Sequence, residues 1–513
     1  MKSRKWIWGG ALAGGIMLLD AAIVFRERVW HLADTYSWLI PMFLWVTLGM
    51  AGLTVLGGWL IWKKSWELHR VFVVMAGVCG IFYMFVMPPF TAPDEDAHYA
   101  TVYYYSDKLL GQNALTNKGM TIVRTCDVEY QEKEHREPSI GSYDAVWNGL
   151  FSVNHSDKMQ SYNKGPLNSV SWALYVPQIL GVTLARILHL GNIPLLFLGR
   201  FFALLFYVAL CSLAIKKMPF GKLALFVVAL LPMPMEEAAS LSYDCVINAV
   251  SFFFIANSLD LVYRREKVEK KDWIVMILLA FFVLSGKIIY ILLAGLGILI
   301  PAEKFPKPVL KWVYTGAVFA GGAAAVLASR LGALVNYLSR ETYVAAAFET
   351  EGYTFQYLLA HPDRALKVFF KTWKEYGDDY LFTAIGKKPG WMNMEVSDLL
   401  IVGFLILLLV AAIRVKDEPV FLDAKAKIVM GICCVLIASG VVMAMWIAWT
   451  PLDSDLVMGV QGRYFLPIFP LLLMLLRSKN LSLEKDVNGQ VVVGVGILQF
   501  FVLLYILEYA LLR

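Results

Sequence analysis

Charged side chains are scarce in this sequence. Only 17% of its 513 residues are Asp, Glu, Lys or Arg, while 59% are hydrophobic. Soluble globular chains carry about a quarter charged residues, which excludes a soluble enzyme of this length. The net charge of +6 does not indicate a nucleic-acid partner. The composition instead predicts an all-α polytopic membrane protein, because a helix satisfies its own backbone hydrogen bonds in lipid.

CxxC cysteine pairs and glycine-rich phosphate loops are absent from the sequence. The six cysteines form no CxxC pair, and only Cys126 lies in a long polar segment. Neither a disulfide framework nor a zinc site is therefore expected. Without a glycine-rich loop, the chain has no motif for a soluble nucleotide donor. Repeats of fixed period are absent too, whereas inverted repeats are typical of secondary transporters.

Long apolar runs dominate what is present. Runs of about twenty residues cross the hydrocarbon core of a bilayer, which is about 30 Å thick. They predict about 13 transmembrane helices, with residues 1–70 forming an N-terminal hairpin and residues 71–513 the main transmembrane domain. The predicted helices are Trp6–Val24, Trp38–Trp62, Val71–Met87, Pro194–Ile215, Leu223–Met235, Asp244–Tyr263, Trp273–Ser285, Ile288–Ile300, Val309–Ala328, Leu399–Ile413, Ile428–Trp449, Tyr464–Leu476 and Val491–Tyr509. The first follows three basic residues without a cleavage site, so we expect it to be retained.

Basic residues set the expected orientation, because they concentrate in the short cytoplasmic loops of membrane proteins. Placing all of the short basic loops in the cytoplasm requires a helix break at Ser285-Gly286-Lys287. It puts two large polar loops, at about 88–193 and 330–398, on the extracytoplasmic face. Within the first loop, Asn168–Leu190 is expected to lie in the outer interface. We therefore predict a multi-pass protein of the cell (plasma or inner) membrane with an extracytoplasmic site.

An acidic motif follows the third predicted helix. The stretch Pro93-Asp94-Glu95-Asp96-Ala97-His98 begins where the chain leaves the bilayer. Pro93 favours a helical first turn, and Thr91 with Asp94 approximates a capping box. Acids in a first turn are stabilised by the helix dipole even without a chemical role. Ionisable groups at membrane depth are nevertheless expected to be functional.

Polar residues from several other segments are expected at the same outer level. Asp244 opens a helix, where it has the alternative role of a cap. Lys287 and Arg463 could instead extend their side chains to the lipid headgroups. His98 could instead be a buried polar residue without a chemical role. Gathering acids and bases at one level predicts an assembled site, because unpaired charges there are costly. The candidates are Asp94, Glu95, His98, Lys164, Asp244, Lys287, Gln461, Arg463 and Tyr464.

The chemistry that suits such a site is sugar transfer from a lipid phosphate. A carboxylate takes the proton of an acceptor hydroxyl, which attacks the anomeric carbon of the sugar. A cationic side chain then neutralises the departing phosphate. A lipid-linked donor also accounts for the missing nucleotide-binding motif.

Three motifs resemble a bacterial predicted-membrane-protein family grouped with the GT-C glycosyltransferases. They are Pro93-Asp94-Glu95 with His98, the run Tyr162-Asn163-Lys164-Gly165-Pro166-Leu167, and the segment Gly459–Pro467. The resemblance covers most of the chain from about Val71. It implies a GT-C-like helix bundle and an acid in the first outer loop as catalytic base.

By this resemblance Asp94 is the first candidate for the base and Glu95 the second. Arg463, assisted by Lys164 or Lys287, is expected to hold the donor phosphate. The chain departs from the usual pattern in having two helices before the one that precedes the acidic motif. Its Lys164-Gly165-Pro166-Leu167 also replaces a His-Pro-Pro-Leu-like run. Some members of the superfamily need a divalent cation and others do not, so metal use stays open.

The sequence thus predicts an inverting membrane glycosyltransferase. Its donor is a polyprenyl-phosphate-linked sugar, and its acceptor is a glycan, lipid or protein of the cell envelope. Membrane lipids are expected partners and nucleic acids are not. A transporter or flippase of lipid-linked saccharides is one alternative. A non-catalytic subunit of an envelope-assembly complex is another.

Overall fold

The fold of the chain is taken from a computed structural model. It describes residues 14–128, 130, 136–154, 156, 158–167, 170–329, 331–345, 348–416, 418 and 422–513. The beginning of the first predicted helix lies outside these residues, but residues 14–24 are helical and continue through a π-helical turn, Phe25–Val29. The predicted all-helical architecture is observed, with strands of two or three residues only.

Nineteen helices are numbered within the described residues. They are α1 (Trp30–Leu32), α2 (Leu39–Trp62), α3 (Leu68–Val86), α4 (Glu95–Leu109), α5 (Ile140–Gly149), α6 (Val176–Ile187), α7 (Asn192–Lys217), α8 (Lys222–Ala229), α9 (Pro232–Ala238), α10 (Asp244–Tyr263), α11 (Lys270–Gly286), α12 (Val309–Ser329), α13 (Leu331–Ser339), α14 (Phe355–Ala360), α15 (Pro362–Ile385), α16 (Asp398–Ala412), α17 (Ala424–Trp449), α18 (Phe469–Leu475) and α19 (Asn488–Leu511). The 3₁₀ helices are Thr125–Asp127, Trp172–Tyr175, Ile288–Leu299, Ala302–Lys304 and Gly462–Ile468.

Seven of these helices are long and apolar enough to cross a membrane: α2, α3, α7, α10, α12, α17 and α19. Four shorter apolar helices accompany them, at Trp172–Ile187, Ile288–Leu299, Asp398–Ala412 and Gly462–Leu475. The chain is therefore a helical membrane protein. The larger count of about 13 spans stays a prediction.

Interrupted helices bring polar groups close to the apolar interior. Helix α8 ends at Ala229 and Pro232 begins α9 two residues later, since proline cannot continue the hydrogen-bond ladder of a preceding helix. Lys287 separates α11 from the 3₁₀ helix Ile288–Leu299, at the position where the sequence predicted a break. Such breaks occur where backbone lines a cavity or packs within protein. They deliver α9 and Lys287 to the region described below.

The two long polar segments pack onto the bundle. In the first, β1 (Ile122–Arg124) pairs antiparallel with β2 (Met159–Ser161), and α4 packs against α6. In the second, α15 packs against the 3₁₀ helix Gly462–Ile468. The remaining strands form two short pairs, Val344–Ala345 with Thr350–Glu351 and Arg414–Val415 with Ser482–Leu483.

One local prediction was wrong. Thr91 and Asp94 form no capping box, because the Thr91 hydroxyl donates to the carbonyl of Pro88 at 2.6 Å and Asp94 makes no side-chain cap. Asp94 instead adopts a left-handed backbone conformation with φ of 58° immediately before α4. Asp and Asn tolerate this region better than most residues. The turn directs the Asp94 carboxylate out of the helix that follows.

Candidate functional site

Asp94 is the exposed carboxylate of the site. Its side chain is 54% exposed, while its neighbours Glu95 and His98 are buried. The Asp94 carbonyl accepts the amide hydrogens that start α4, from Ala97 and His98, both at 3.0 Å. The backbone is thus fixed by the helix while the carboxylate stays accessible.

Arg463 meets this carboxylate from the opposite end of the chain. Its Nη2 lies 3.3 Å from Asp94 Oδ2, and its Nε lies 3.6 Å from Asp244 Oδ2. The Arg463 side chain is only 5% exposed. Its Nε and Nη1 make no hydrogen bond within the described residues. A buried guanidinium with unused donors is costly unless another acceptor completes it.

Lys287 adds a second cation beside Asp244. Its Nζ lies 3.1 Å from Asp244 Oδ1 and 3.7 Å from the centroid of the Tyr464 ring. The hydroxyl of Tyr290 donates to the Tyr464 carbonyl at 2.7 Å, which ties the two 3₁₀ helices together. Asp244 is therefore shared between Lys287 and Arg463. The cluster brings together Asp94, Asp244, Lys287, Arg463 and Tyr464.

His98 lies one helical turn after Asp94 and forms part of an aromatic group. Its Nδ1 is 2.8 Å from the hydroxyl of Tyr175, and its ring meets the Tyr243 ring edge-on at 5.4 Å. Burial lowers the pKa of His98, with nearby Asp94 and Asp244 acting in the opposite direction. The imidazole is therefore neutral at pH 7. Through Tyr243 it connects α4, which follows Asp94, with the start of α10 at Asp244.

Glu95 occupies a different environment from Asp94. Its carboxylate is fully buried and accepts hydrogen bonds from Arg200 Nε at 2.8 Å and from the amides of Phe90 and Leu241 at 2.7 and 2.9 Å. Arg200 in turn donates to the carbonyls of Met87 and Pro88. A carboxylate so fully bonded has little capacity left for an acceptor hydroxyl. This geometry favours Asp94 over Glu95 as the base.

Lys164 and Gln461 do not join the cluster through their side chains. Lys164 Nζ lies 2.6 Å from Asp96 Oδ2, so it pairs with the acid two positions beyond Asp94. Gln461 contributes its backbone carbonyl, which accepts the Tyr464 amide at 3.1 Å. The phosphate role predicted for Lys164 therefore has no support in its contacts.

Two acids of α9 lie behind the cluster and were missed by the sequence reasoning. Glu236 accepts the Gly390 amide at 2.8 Å, and Glu237 accepts Asn248 Nδ2 at 2.6 Å. Both residues are 2% exposed, and Glu237 Oε1 makes no hydrogen bond within the described residues. The signal was available, because adjacent acids in an apolar run are expected to be functional.

The donor set does not fit a divalent cation. Groups of three or more His, Cys, Asp or Glu side chains that are placed to hold a metal are absent from the described part of the chain. Asp94 and Asp244 both face the guanidinium of Arg463, so a metal cation placed between the two carboxylates would be repelled by its positive charge. The arrangement instead suits an anion with several acceptor oxygens, such as a phosphate.

The 3₁₀ helix that carries Arg463 also lines an apolar groove. The groove has a volume of about 240 Å³ and lies between α15, α17 and the helices that follow Gln461. Phe465, two residues after Arg463, lines it together with Trp373, Tyr380, Val435 and Leu472. One short helix thus contributes both a guanidinium and an apolar lining residue, and an amphiphilic ligand requires that combination.

Comparison with known proteins identifies a family but no characterised relative. Nothing among curated proteins matches the chain, and nothing among solved structures does. A family model described as a predicted membrane protein, DUF2142, matches residues 78–472. The match includes Asp94, Asp244, Lys287 and Arg463 and covers more than half of the sequence. The chain therefore belongs to the DUF2142 family of predicted membrane proteins.

Proposed function

We propose that this protein is an integral membrane glycosyltransferase of GT-C type. It transfers a sugar from a polyprenyl-phosphate donor to a glycan, lipid or protein of the cell envelope, with its site on the extracytoplasmic face of the cell membrane. The observation that carries the proposal is the buried Arg463, which has guanidinium donors without a hydrogen bond to any described residue and lies beside the exposed carboxylate of Asp94. About 13 spans and two large outer loops complete the proposed topology.

Arg463 and Lys287 hold the donor phosphate in this proposal. A guanidinium presents several donors in a fixed plane, which matches the oxygens of a phosphate. Lys287 adds a point charge from the other side of Asp244. Asp244 keeps both cations in place without itself facing solvent, since its side chain is 10% exposed. The apolar groove lined by Phe465 receives the first part of the polyprenyl chain.

Asp94 acts as the general base. It accepts the proton of the acceptor hydroxyl while the hydroxyl oxygen forms a bond to the anomeric carbon. The bond from that carbon to the phosphate oxygen breaks, and the phosphate keeps the electron pair. Arg463 and Lys287 stabilise the charge that develops there. Direct displacement inverts the anomeric configuration, and Asp94 is re-ionised by losing its proton to water.

The substitution Asp94→Asn tests this function. Asparagine tolerates the left-handed backbone of position 94 and differs from aspartate in one atom, so the fold is expected to persist. We expect sugar transfer from a labelled polyprenyl-phosphate sugar in proteoliposomes to fall at least a hundredfold, within the range that general-base catalysis supplies. Donor binding is expected to stay within about threefold of the wild-type value.

Asp378→Asn is the matched control, because Asp378 is an exposed acid of α15 outside the cluster. It is expected to retain full transfer. Full transfer by Asp94→Asn contradicts the catalytic assignment. Equal rates of lipid movement across the bilayer in wild type and Asp94→Asn, without any transfer in either, favour a flippase instead.

A further inference from the structure

One face of α15 carries an exposed apolar row. Leu366, Phe370 and Leu381 are 60%, 65% and 37% exposed, and Gly377 lies between the last two. Spacings of four, seven and four residues place these positions on one side of a helix. Leu366 and Phe370, in the first half of this row, keep more than half of their surface exposed. Large apolar side chains aligned in this way mark an interaction surface.

A row of basic side chains borders the apolar one. Lys367 and Lys374 are exposed, and the helical spacing places both side chains next to the apolar row on the surface of α15. Two further cations of α15 are held by protein: Arg364 Nη2 donates to the Leu452 carbonyl at 2.8 Å, and Lys371 pairs with Asp455. Lys367 lies close enough to Asp455 to act on its charge, but neither Lys367 nor Lys374 forms an ion pair with a described residue, so both exposed amines can meet a negatively charged partner.

The second half of the row already reaches apolar surroundings. Leu381 lines the apolar groove together with Val435 of α17, one of the seven candidate spans. The start of α15 therefore contacts the backbone of Leu452, in the loop after α17, and its end contacts α17, a candidate membrane span. Because the row is continuous with that candidate span, lipid is the medium expected to meet the rest of the row.

We propose that α15 lies in the membrane interface and binds anionic phospholipid of the surrounding leaflet. Leu366, Phe370 and Leu381 enter the acyl-chain boundary, as amphipathic interfacial helices do. Lys367 and Lys374 contact the lipid phosphates, each adding about fivefold to the affinity for anionic over neutral lipid. This inference does not depend on the proposed transferase activity.

The position of α15 ties this surface to the candidate site. A Cβ on Gly462 would meet the backbone of Tyr380 and Ala384, so the end of α15 touches the residue before Arg463. The depth at which α15 sits in lipid thus fixes one wall of the cluster.

The test uses the full chain in lipid nanodiscs with a spin label at one position at a time. Labels at Leu366→Cys and Phe370→Cys are expected to be relaxed by oxygen, which concentrates in lipid. A label at Glu375→Cys, on the opposite side of the helix, is the control and is expected to be relaxed by a water-soluble nickel chelate. Preferential relaxation of the labels at positions 366 and 370 by nickel overturns the proposal, because it shows that these positions face water. The same result is expected if the row is normally covered by a protein partner that the nanodisc lacks.

The second measurement concerns the lysines and needs no label. The ratio of phosphatidylglycerol to phosphatidylcholine retained by the purified protein is expected to fall at least tenfold in the double variant Lys367→Gln/Lys374→Gln. Lys118→Gln, which removes an exposed charge from the first polar segment, is expected to leave the ratio unchanged. An unchanged ratio in the double variant overturns the proposal, as does an equal fall in the control.

Discussion

Replacing Arg463 by glutamine is the perturbation that probes the cluster most deeply. Within the described residues, Nη1 of the guanidinium makes no hydrogen bond and Nε has only the 3.6 Å contact with Asp244, and these two nitrogens are the donors expected to meet a phosphate. A hydrogen bond to a charged group contributes about 1.5–3 kcal/mol. Losing two such bonds weakens binding by about 3–6 kcal/mol, or a factor of about 10² to 10⁴.

The assay is equilibrium binding of undecaprenyl phosphate to the protein in neutral-lipid nanodiscs. Arg463→Lys separates charge from shape, because lysine keeps the charge but loses the planar set of donors. We expect its affinity to lie between those of the wild type and Arg463→Gln. Lys118→Gln serves as the control for a lost exposed cation, with no change expected. A folded Arg463→Gln protein that binds undecaprenyl phosphate with wild-type affinity refutes the reasoning.

Three further predictions concern stability and packing. Glu95→Gln is expected to lower the free energy of unfolding by about 3–5 kcal/mol, measured by thermal unfolding in detergent, because it leaves Arg200 as an uncompensated buried charge; a loss below 1 kcal/mol contradicts the structural role of that pair. Burial lowers the pKa of His98, so below about pH 6.5 the unfolded chain binds more protons than the folded one. The contribution of neutral, buried His98 to the free energy of unfolding is therefore complete above about pH 6.5 and is lost as the pH falls below that value. His98→Gln is expected to remove this pH dependence. If the free energy of unfolding of that variant varies with pH as in the wild type, His98 is not its cause. Gly462→Ala is expected to reduce undecaprenyl phosphate binding without abolishing folding, since the added Cβ forces α15 away from the residue before Arg463. Gly52→Ala is the neutral control, because no described atom lies within 4 Å of the added Cβ. Equal binding by both glycine variants argues against the close contact.

The helical membrane architecture followed from composition alone, because few sequences other than those of membrane proteins combine so many apolar residues with so few charges. The break at Lys287 also followed from sequence, since only a break kept the basic loops on one side. The contact of Arg463 with Asp94 was an expectation from the resemblance and the topology. Residue spacing carries no information on a contact between positions so far apart.

Other parts of the site were beyond the sequence for physical reasons. Arg200 lies within an apolar run and has the appearance of a snorkelling residue, yet it is fully buried because Glu95 and three carbonyls meet it. The partner of Lys164 was missed because the left-handed turn at Asp94 sends consecutive acids in different directions. Asp96 thereby reaches Lys164 at 2.6 Å while Asp94 points away. The amphipathic character of α15 was hidden within a segment that was taken as a polar loop.

The central claim is that the Arg463 cluster binds the phosphate of a lipid. The most direct measurement is an experimental structure of the protein in a nanodisc with a non-transferable polyprenyl-phosphate sugar analogue. We expect the phosphate within hydrogen-bonding distance of Arg463 and Lys287, with the polyprenyl chain in the groove lined by Phe465 and the sugar facing Asp94. A phosphate bound elsewhere, with Arg463 still unoccupied, contradicts it.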